Sequence, residues 1–225
     1  FLIVLGASLA IFLAGREEAR AGLPKDTVLD LALWLIPFGI LGARIYYVLF
    51  SWESFRDDPV SILRIWEGGI AIYGAIIAGL IVLILFCRKR KLSPLRLLDI
   101  IVPGLVLAQS IGRWGNYFNI EAYGLPVTHA ALRFFPLAVQ VPADGYAWHL
   151  ATFFYESVWN FGIFLYLLRS RRAGPKREGD LFFHYLFLYA AGRMWIEELR
   201  TDSLYSVHQV RISQLLSVIL CLLIL

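Results

Sequence analysis

Charge and cysteine are both scarce in this sequence. Only 17% of its 225 residues are Asp, Glu, Lys or Arg, and the net charge is +4. The basic residues fall in short stretches between apolar blocks, which excludes the basic face or tail of a nucleic-acid binder. Two cysteines are present, Cys87 at the end of one apolar block and Cys221 inside another. Neither belongs to a disulfide framework or to metal-ligand spacing, so no metal and no cofactor is expected. An internal repeat, a low-complexity tract and a recognisable secretory signal peptide are also lacking.

What is abundant is apolar sequence. Apolar residues make up 59% of the chain, against about 45–50% in ordinary soluble domains, and the mean hydropathy is +0.68. The excess lies in blocks at about Phe1–Ala14, Val28–Phe50, Gly69–Cys87, Leu97–Gly115, Ala151–Leu168, Leu181–Trp195 and Ile212–Leu225. A spanning helix needs roughly 20 residues. The second to fifth blocks approach that length, and the sixth reaches it if it continues to about Leu199. The first and last are shorter and run into the chain ends. The pattern predicts an all-α, polytopic transmembrane helix bundle of about seven spans, the first and last incomplete, in a stretch of a longer protein. Residues 1–225 would form a single integral membrane domain.

Basic residues orient the bundle. The loops after the first, third and fifth blocks hold thirteen, including Arg88–Lys91 and Arg169–Arg172; the alternate loops hold five, Arg56, Arg64, Arg133, Arg200 and Arg211. Lys and Arg favour the cytoplasmic side, so the N-terminus is expected outside and the C-terminus inside. The longest external segment, about 117–150, is punctuated by Pro126, Pro136, Pro142 and Gly145, which argue against a long helix. It is expected on the outer surface of the membrane.

Charges inside such blocks are costly and point to function. Arg44, Arg113 and Arg193 each follow closely after glycine, a residue that lets helices approach. Arg193 and Glu197 stand four apart, a spacing that permits an ion pair on one helix face. The planar fork of a guanidinium matches phosphate oxygens. With Glu121, Glu156 and Glu197 nearby in sequence, these arginines suggest an anionic ligand such as a phospholipid headgroup. They do not by themselves name a reaction.

The densest polar run is Gly112-Arg-Trp-Gly-Asn-Tyr-Phe-Asn-Ile-Glu-Ala-Tyr-Gly124. It resembles the G-R-x-G-N-F-x-N-x-E-x-x-G signature of the prolipoprotein diacylglyceryl transferase family. Gly42-Ala-Arg44-Ile-Tyr-Tyr-Val-Leu-Phe50, Trp66-Glu-Gly-Gly-Ile-Ala-Ile-Tyr73-Gly-Ala75, Thr152-Phe-Phe-Tyr155-Glu156-Ser and Arg193-Met-Trp-Ile-Glu197-Glu-Leu-Arg200 resemble four further family segments, in family order. The sequence departs from the family at three places. Tyr73 and Ala75 replace His and Gly, Leu150-Ala151 replace His-Pro with His149 one residue early, and an N-terminal Trp-Tyr-Gly region is absent.

The resemblance implies an enzyme of a bacterial plasma membrane that takes phosphatidylglycerol and transfers its diacylglyceryl group to the lipobox cysteine of a prolipoprotein signal peptide. Arg113 and Arg193 match the family's functional arginines, with Asn116, Glu121, Gly124 and Glu197 around them. Arg44, Tyr155 and Glu156 become expected substrate contacts. Tyr73 stands where a proton acceptor would be, although a phenol ordinarily ionises near pH 10. The nucleophile is the substrate's thiol, so no cysteine of the chain is required. Other membrane classes fit less well. A transporter calls for inverted repeats and paired broken helices, a serine intramembrane protease for a G-x-S-x-G context, and a purely structural subunit leaves the charged residues unexplained.

Overall fold

The computed structural model describes residues 1–174 and 177–201, with Gln214, Leu215, Ser217, Val218 and Cys221 beyond them. The chain divides into two compact units: Gly15–Leu97, and Phe1–Ala14 together with Leu98–Leu225. The helices are α1 (Leu2–Arg20), α2 (Thr27–Phe50), α3 (Ile72–Arg90), α4 (Pro94–Gly112), α5 (Trp114–Asn119), α6 (Thr152–Arg172) and α7 (Asp180–Ile196).

The first unit is built on α2 and α3. Gly42 and Gly74 meet where the helices cross, and a Cβ on either would run into the backbone of the other. Such contact between small residues gives the van der Waals packing that membrane helices rely on. The buried Glu18 carboxylate closes the start of α2, accepting the N–H groups of Asp26 at 2.8 Å and Val28 at 2.7 Å; helix starts leave such donors unsatisfied. Residues between α2 and α3 form three short 3₁₀ turns.

The second unit packs α4, α6 and α7 around Val102, Val106, Ile163, Phe164, Leu167, Leu181 and Tyr185. The start of α1 joins it through two close approaches, Gly6 on Ala108 and Gly104 on Ala10. Asp99 of α4 accepts the N–H groups of Gly179 at 2.6 Å and Phe182 at 2.9 Å, so one helix caps the start of another. That bond fixes where α7 begins and therefore the height at which its last turn, with Arg193, lies.

The segment 117–150 contains the end of α5, two 3₁₀ turns and an antiparallel hairpin of β1 (Ala138–Val141) and β2 (Ala147–Leu150), with Val139 opposite His149. The hairpin departs from the all-α expectation. Its strands are four residues each, too short and too close to proline to show as an alternating run. Three helices among the described residues are long and apolar enough to cross a membrane: Thr27–Phe50, Ile72–Arg90 and the continuous stretch Pro94–Asn119. Charged Arg16, Glu17 and Glu18 lower the apolarity of α1, and Glu156, Ser157 and Asn160 that of α6. The sixth block ends in a 3₁₀ turn at Glu197–Leu199, and the last block lies outside the described residues except for Gln214, Leu215, Ser217, Val218 and Cys221.

Candidate active site

Four chain segments of the second unit meet around one carboxylate. Glu156, in the second turn of α6, is only 4% exposed. Its Oε2 contacts Nε of Arg113, which stands between α4 and α5. Its Oε1 lies 2.8 Å from Nη1 of Arg193, in the last turn of α7, and 3.4 Å from Nη1 of Arg200. Arg193 also donates through Nη2 to Glu197 at 2.5 Å, the ion pair that the four-residue spacing predicts. Three arginines and two glutamates make up this group among the described residues.

The frame around the cluster is hydrogen-bonded. Ser110 Oγ donates to the Ser157 carbonyl at 2.8 Å, and Ser157 Oγ donates to the Ser110 carbonyl at 2.9 Å, tying α4 to α6 beside Glu156. Trp114 Nε1 donates to Ser157 Oγ at 3.1 Å. Gln109 and Tyr185 join α4 to α7 at 2.9 Å. A buried carboxylate is costly unless paired and hydrogen-bonded; here three guanidinium groups pair it. The Arg113 side chain is 25% exposed.

The signature run continues past Arg113 as a tight loop. Ile120 and Ala122 both take left-handed backbone conformations, with φ of 54° each, which is rare for residues with a Cβ and most of all for a β-branched one. Glu121 between them is exposed and accepts Asn119 Nδ2 at 3.1 Å. Asn116 and Glu121 line a cleft of about 410 Å³ with Tyr117, Phe153 and the end of β1. Gly124 pairs with Leu150 and bridges Arg200; a Cβ there would lie 2.5 Å from the Leu199 carbonyl oxygen, so no larger residue fits.

Two side chains that sequence reasoning did not assign support this loop. His149 is buried, with Nδ1 2.9 Å from the Gly124 carbonyl oxygen and Nε2 2.8 Å from Asp144 Oδ2. Arg200 joins Glu156 from beyond α7. The sequence signals were slight: His149 stands beside one family-like segment, and Arg200 closes another.

Tyr155 turns away from Glu156. Its hydroxyl donates to the Leu137 carbonyl at 2.6 Å, and its ring borders an apolar groove. Arg44 and Tyr73 belong to the other unit. Arg44 is buried, and its guanidinium donates to the carbonyls of Ser61, Ile62, Gly68 and Gly69 at 2.7–2.9 Å. Phe55 lies under the same group, 5.1 Å away. Four of its five donors are therefore committed to backbone. Tyr73, in the first turn of α3, is 40% exposed, with its ring 6.2 Å from that of Tyr46.

Comparison with known proteins bears on the cluster. The family model for prolipoprotein diacylglyceryl transferase matches residues 1–225. A phosphatidylglycerol–prolipoprotein diacylglyceryl transferase of Streptococcus agalactiae is 46% identical over 221 residues, covering 97% of this chain and 84% of that relative. Enzymes of the same name from Limosilactobacillus reuteri and Halalkalibacterium halodurans are 45% and 43% identical, again over 97% of this chain and over 80% and 76% of theirs. The motifs that supply Arg113, Glu156 and Arg193 thus sit within a match that runs the length of the sequence, and the chain belongs to the prolipoprotein diacylglyceryl transferase family.

Proposed function

We propose that this chain transfers the diacylglyceryl group of phosphatidylglycerol to the thiol of the lipobox cysteine in a prolipoprotein signal peptide, the first step of bacterial lipoprotein maturation. The observation that carries this reading is the convergence of Arg113, Arg193 and Arg200 on the single buried Glu156. The thiol loses its proton to solvent, and the thiolate sulfur attacks the glyceryl carbon that bears the phosphate ester. An S–C bond forms, the C–O bond breaks, and glycerol phosphate leaves with the electron pair. Charge grows on that leaving oxygen, so preorganised cations stabilise the transition state.

Arg113 and Arg193 are assigned to the phosphate, where bidentate donation is strongest. Glu156 and Glu197 hold the guanidinium planes in place. Asn116 and Glu121, from their cleft, orient the headgroup or the peptide, and Gly124 keeps the loop's end closed against Leu199. Tyr155 belongs with the lipid chain, Arg44 with the order of its own loop, and Tyr73 with positioning. Membranes holding the chain, phosphatidylglycerol and a lipobox peptide should yield peptide heavier by one diacylglyceryl group. Unchanged peptide mass in active-control membranes would remove the reading.

The accompanying topology is a single seven-span domain, N-terminus outside and C-terminus cytoplasmic, with 117–150 on the outer surface. The thirteen-to-five split of basic residues supports it. So do the basic last turns of α3 and α6, where cations also meet the negative end of the helix dipole. Single cysteines introduced at 88–96 or 169–177 should resist an impermeant reagent in intact cells. Their labelling would reverse the orientation.

A further inference from the structure

Between α6 and α7 runs an apolar groove of about 410 Å³. Phe154 and Trp195 stand at one end, Gly162 and Leu188 along it, and Tyr166 at the other. Trp159 is the wall that the groove shares with the charged cluster. It lines the groove and also a small cavity bounded by Glu156 and Arg193. Its indole is fixed, because Nε1 donates to the Leu188 carbonyl at 3.0 Å and the ring packs over Gly192, where a Cβ would collide with it.

Gly162 keeps the groove open. Glycine in the middle of a helix is destabilising relative to alanine, so its presence there calls for a reason. At Gly192 and Gly124 the reason is a close neighbour. At Gly162 a Cβ would meet nothing within 4 Å, so what the missing side chain provides is empty space. From Tyr155 to Tyr166 the helix rises roughly 16 Å, about half of a hydrocarbon core of about 30 Å. A single extended hydrocarbon chain suits that length and the apolar lining.

We propose that this groove holds one fatty-acyl chain of the anionic phospholipid whose headgroup sits on the arginine cluster, and that its depth sets the preferred acyl length. The proposal rests on the transferase reading. The guanidinium groups of Arg113 and Arg193 on one side of Trp159 and the apolar walls on the other match a ligand with an anionic head and a long apolar tail.

Phosphatidylglycerol with a diazirine at the acyl terminus tests this on the full chain in detergent. Irradiation should label α6 between Gly162 and Tyr166, and unlabelled phosphatidylglycerol should suppress the label where phosphatidylcholine does not. Label confined to other helices would overturn the proposal. Equal labelling by a phosphatidylcholine probe would make the groove a general lipid contact and overturn it as well. Gly162→Leu and Gly162→Phe then fill the groove at mid-depth. Each methylene displaced costs roughly fourfold in affinity, so kcat/KM for dipalmitoyl phosphatidylglycerol should fall about tenfold or more while dioctanoyl phosphatidylglycerol stays within about twofold of wild type. Equal loss for both lipids, or no loss for either, would also overturn it. A wild-type chain that transfers from neither lipid would sink the transferase reading itself, whereas the labelling pattern still decides the groove.

Discussion

Two of the arginines in the apolar helices, the buried Arg44 and the partly buried Arg193, keep different company. Arg44 is surrounded by backbone carbonyls that the chain itself fixes. Arg193 is held by two carboxylates, and Glu156 is shared with Arg113 and Arg200. A carbonyl cage solvates a guanidinium with dipoles and ties down a loop, but it leaves one donor for anything else. A carboxylate network neutralises charge with side chains that can turn, so an arriving phosphate can replace one carboxylate oxygen without exposing a bare cation. Burial of an arginine in a membrane helix therefore does not identify a ligand site. The nature of its partners separates a structural cation from one that can serve chemistry.

The largest effect is expected at the shared carboxylate. Glu156→Ala removes the anion from three partly buried arginines, and breaking a buried pair by removing one partner typically costs about 3–5 kcal/mol. Thermal unfolding in detergent should show a large loss of stability together with loss of transfer. A variant as stable as wild type would mean that Glu156 is not the hub of the cluster. Next come Arg113→Lys and Arg193→Lys. Each keeps the charge but loses the planar fork, so transfer should fall at least about tenfold, or about 1.4 kcal/mol of transition-state stabilisation. Full activity in either variant, at normal expression, would remove that arginine from the phosphate.

Arg44→Lys sharpens the contrast from the other side. An ammonium has three donors for four carbonyls, so the variant should lose about 1 kcal/mol of stability. Its kcat/KM should stay within about threefold of wild type, under about 0.7 kcal/mol of barrier. A drop of tenfold or more at unchanged stability would restore Arg44 to the substrate-contact role that family resemblance suggested.

How much of this the sequence could reveal differs between the two regions for a physical reason. The Arg193–Glu197 pair was legible because a helix places residues four apart on one face. Glu156 was legible as a family-like residue, yet its role as hub was not, since its partners Arg193 and Arg200 lie 37 and 44 residues away and only tertiary packing brings them together. The cage around Arg44 carries no sequence signal at all, because every residue has a carbonyl. Apolar blocks located α2, α3, α4, α6 and α7 to within a few residues. They missed the charged last turn of α1, where Arg16–Arg20 continue the helix beyond the apolar run, and the hairpin, whose strands are too short to show a period. The groove was invisible for the same reason as the cage: an apolar helix face reads alike whether it is filled or open, and only the packing of α6 against α7 distinguishes the two.

The smallest effect is expected at Tyr73, where this chain departs from the family's commoner histidine. If its hydroxyl were the general base for the thiol, its loss should cost about 10²–10⁴-fold, the usual contribution of such catalysis. If the side chain positions lipid or peptide, the ring matters and the oxygen adds at most one hydrogen bond, worth about 0.5–1.5 kcal/mol or roughly tenfold at the upper end. The geometry favours the second role. Tyr73 stands in the first turn of α3, and its ring lies 6.2 Å from that of Tyr46. Aromatic pairs of this kind add about 0.5–1.5 kcal/mol beyond the area they bury. Tyr73→Phe keeps that contact and removes only the oxygen, so it should retain more than about a tenth of wild-type activity. Tyr73→Ala removes the ring as well and should lose more. Turnover of a lipobox peptide by both variants settles the matter: a hundredfold drop in the Phe variant, with stability and lipid binding intact, would make the hydroxyl catalytic and place the proton transfer in the unit that also holds Arg44.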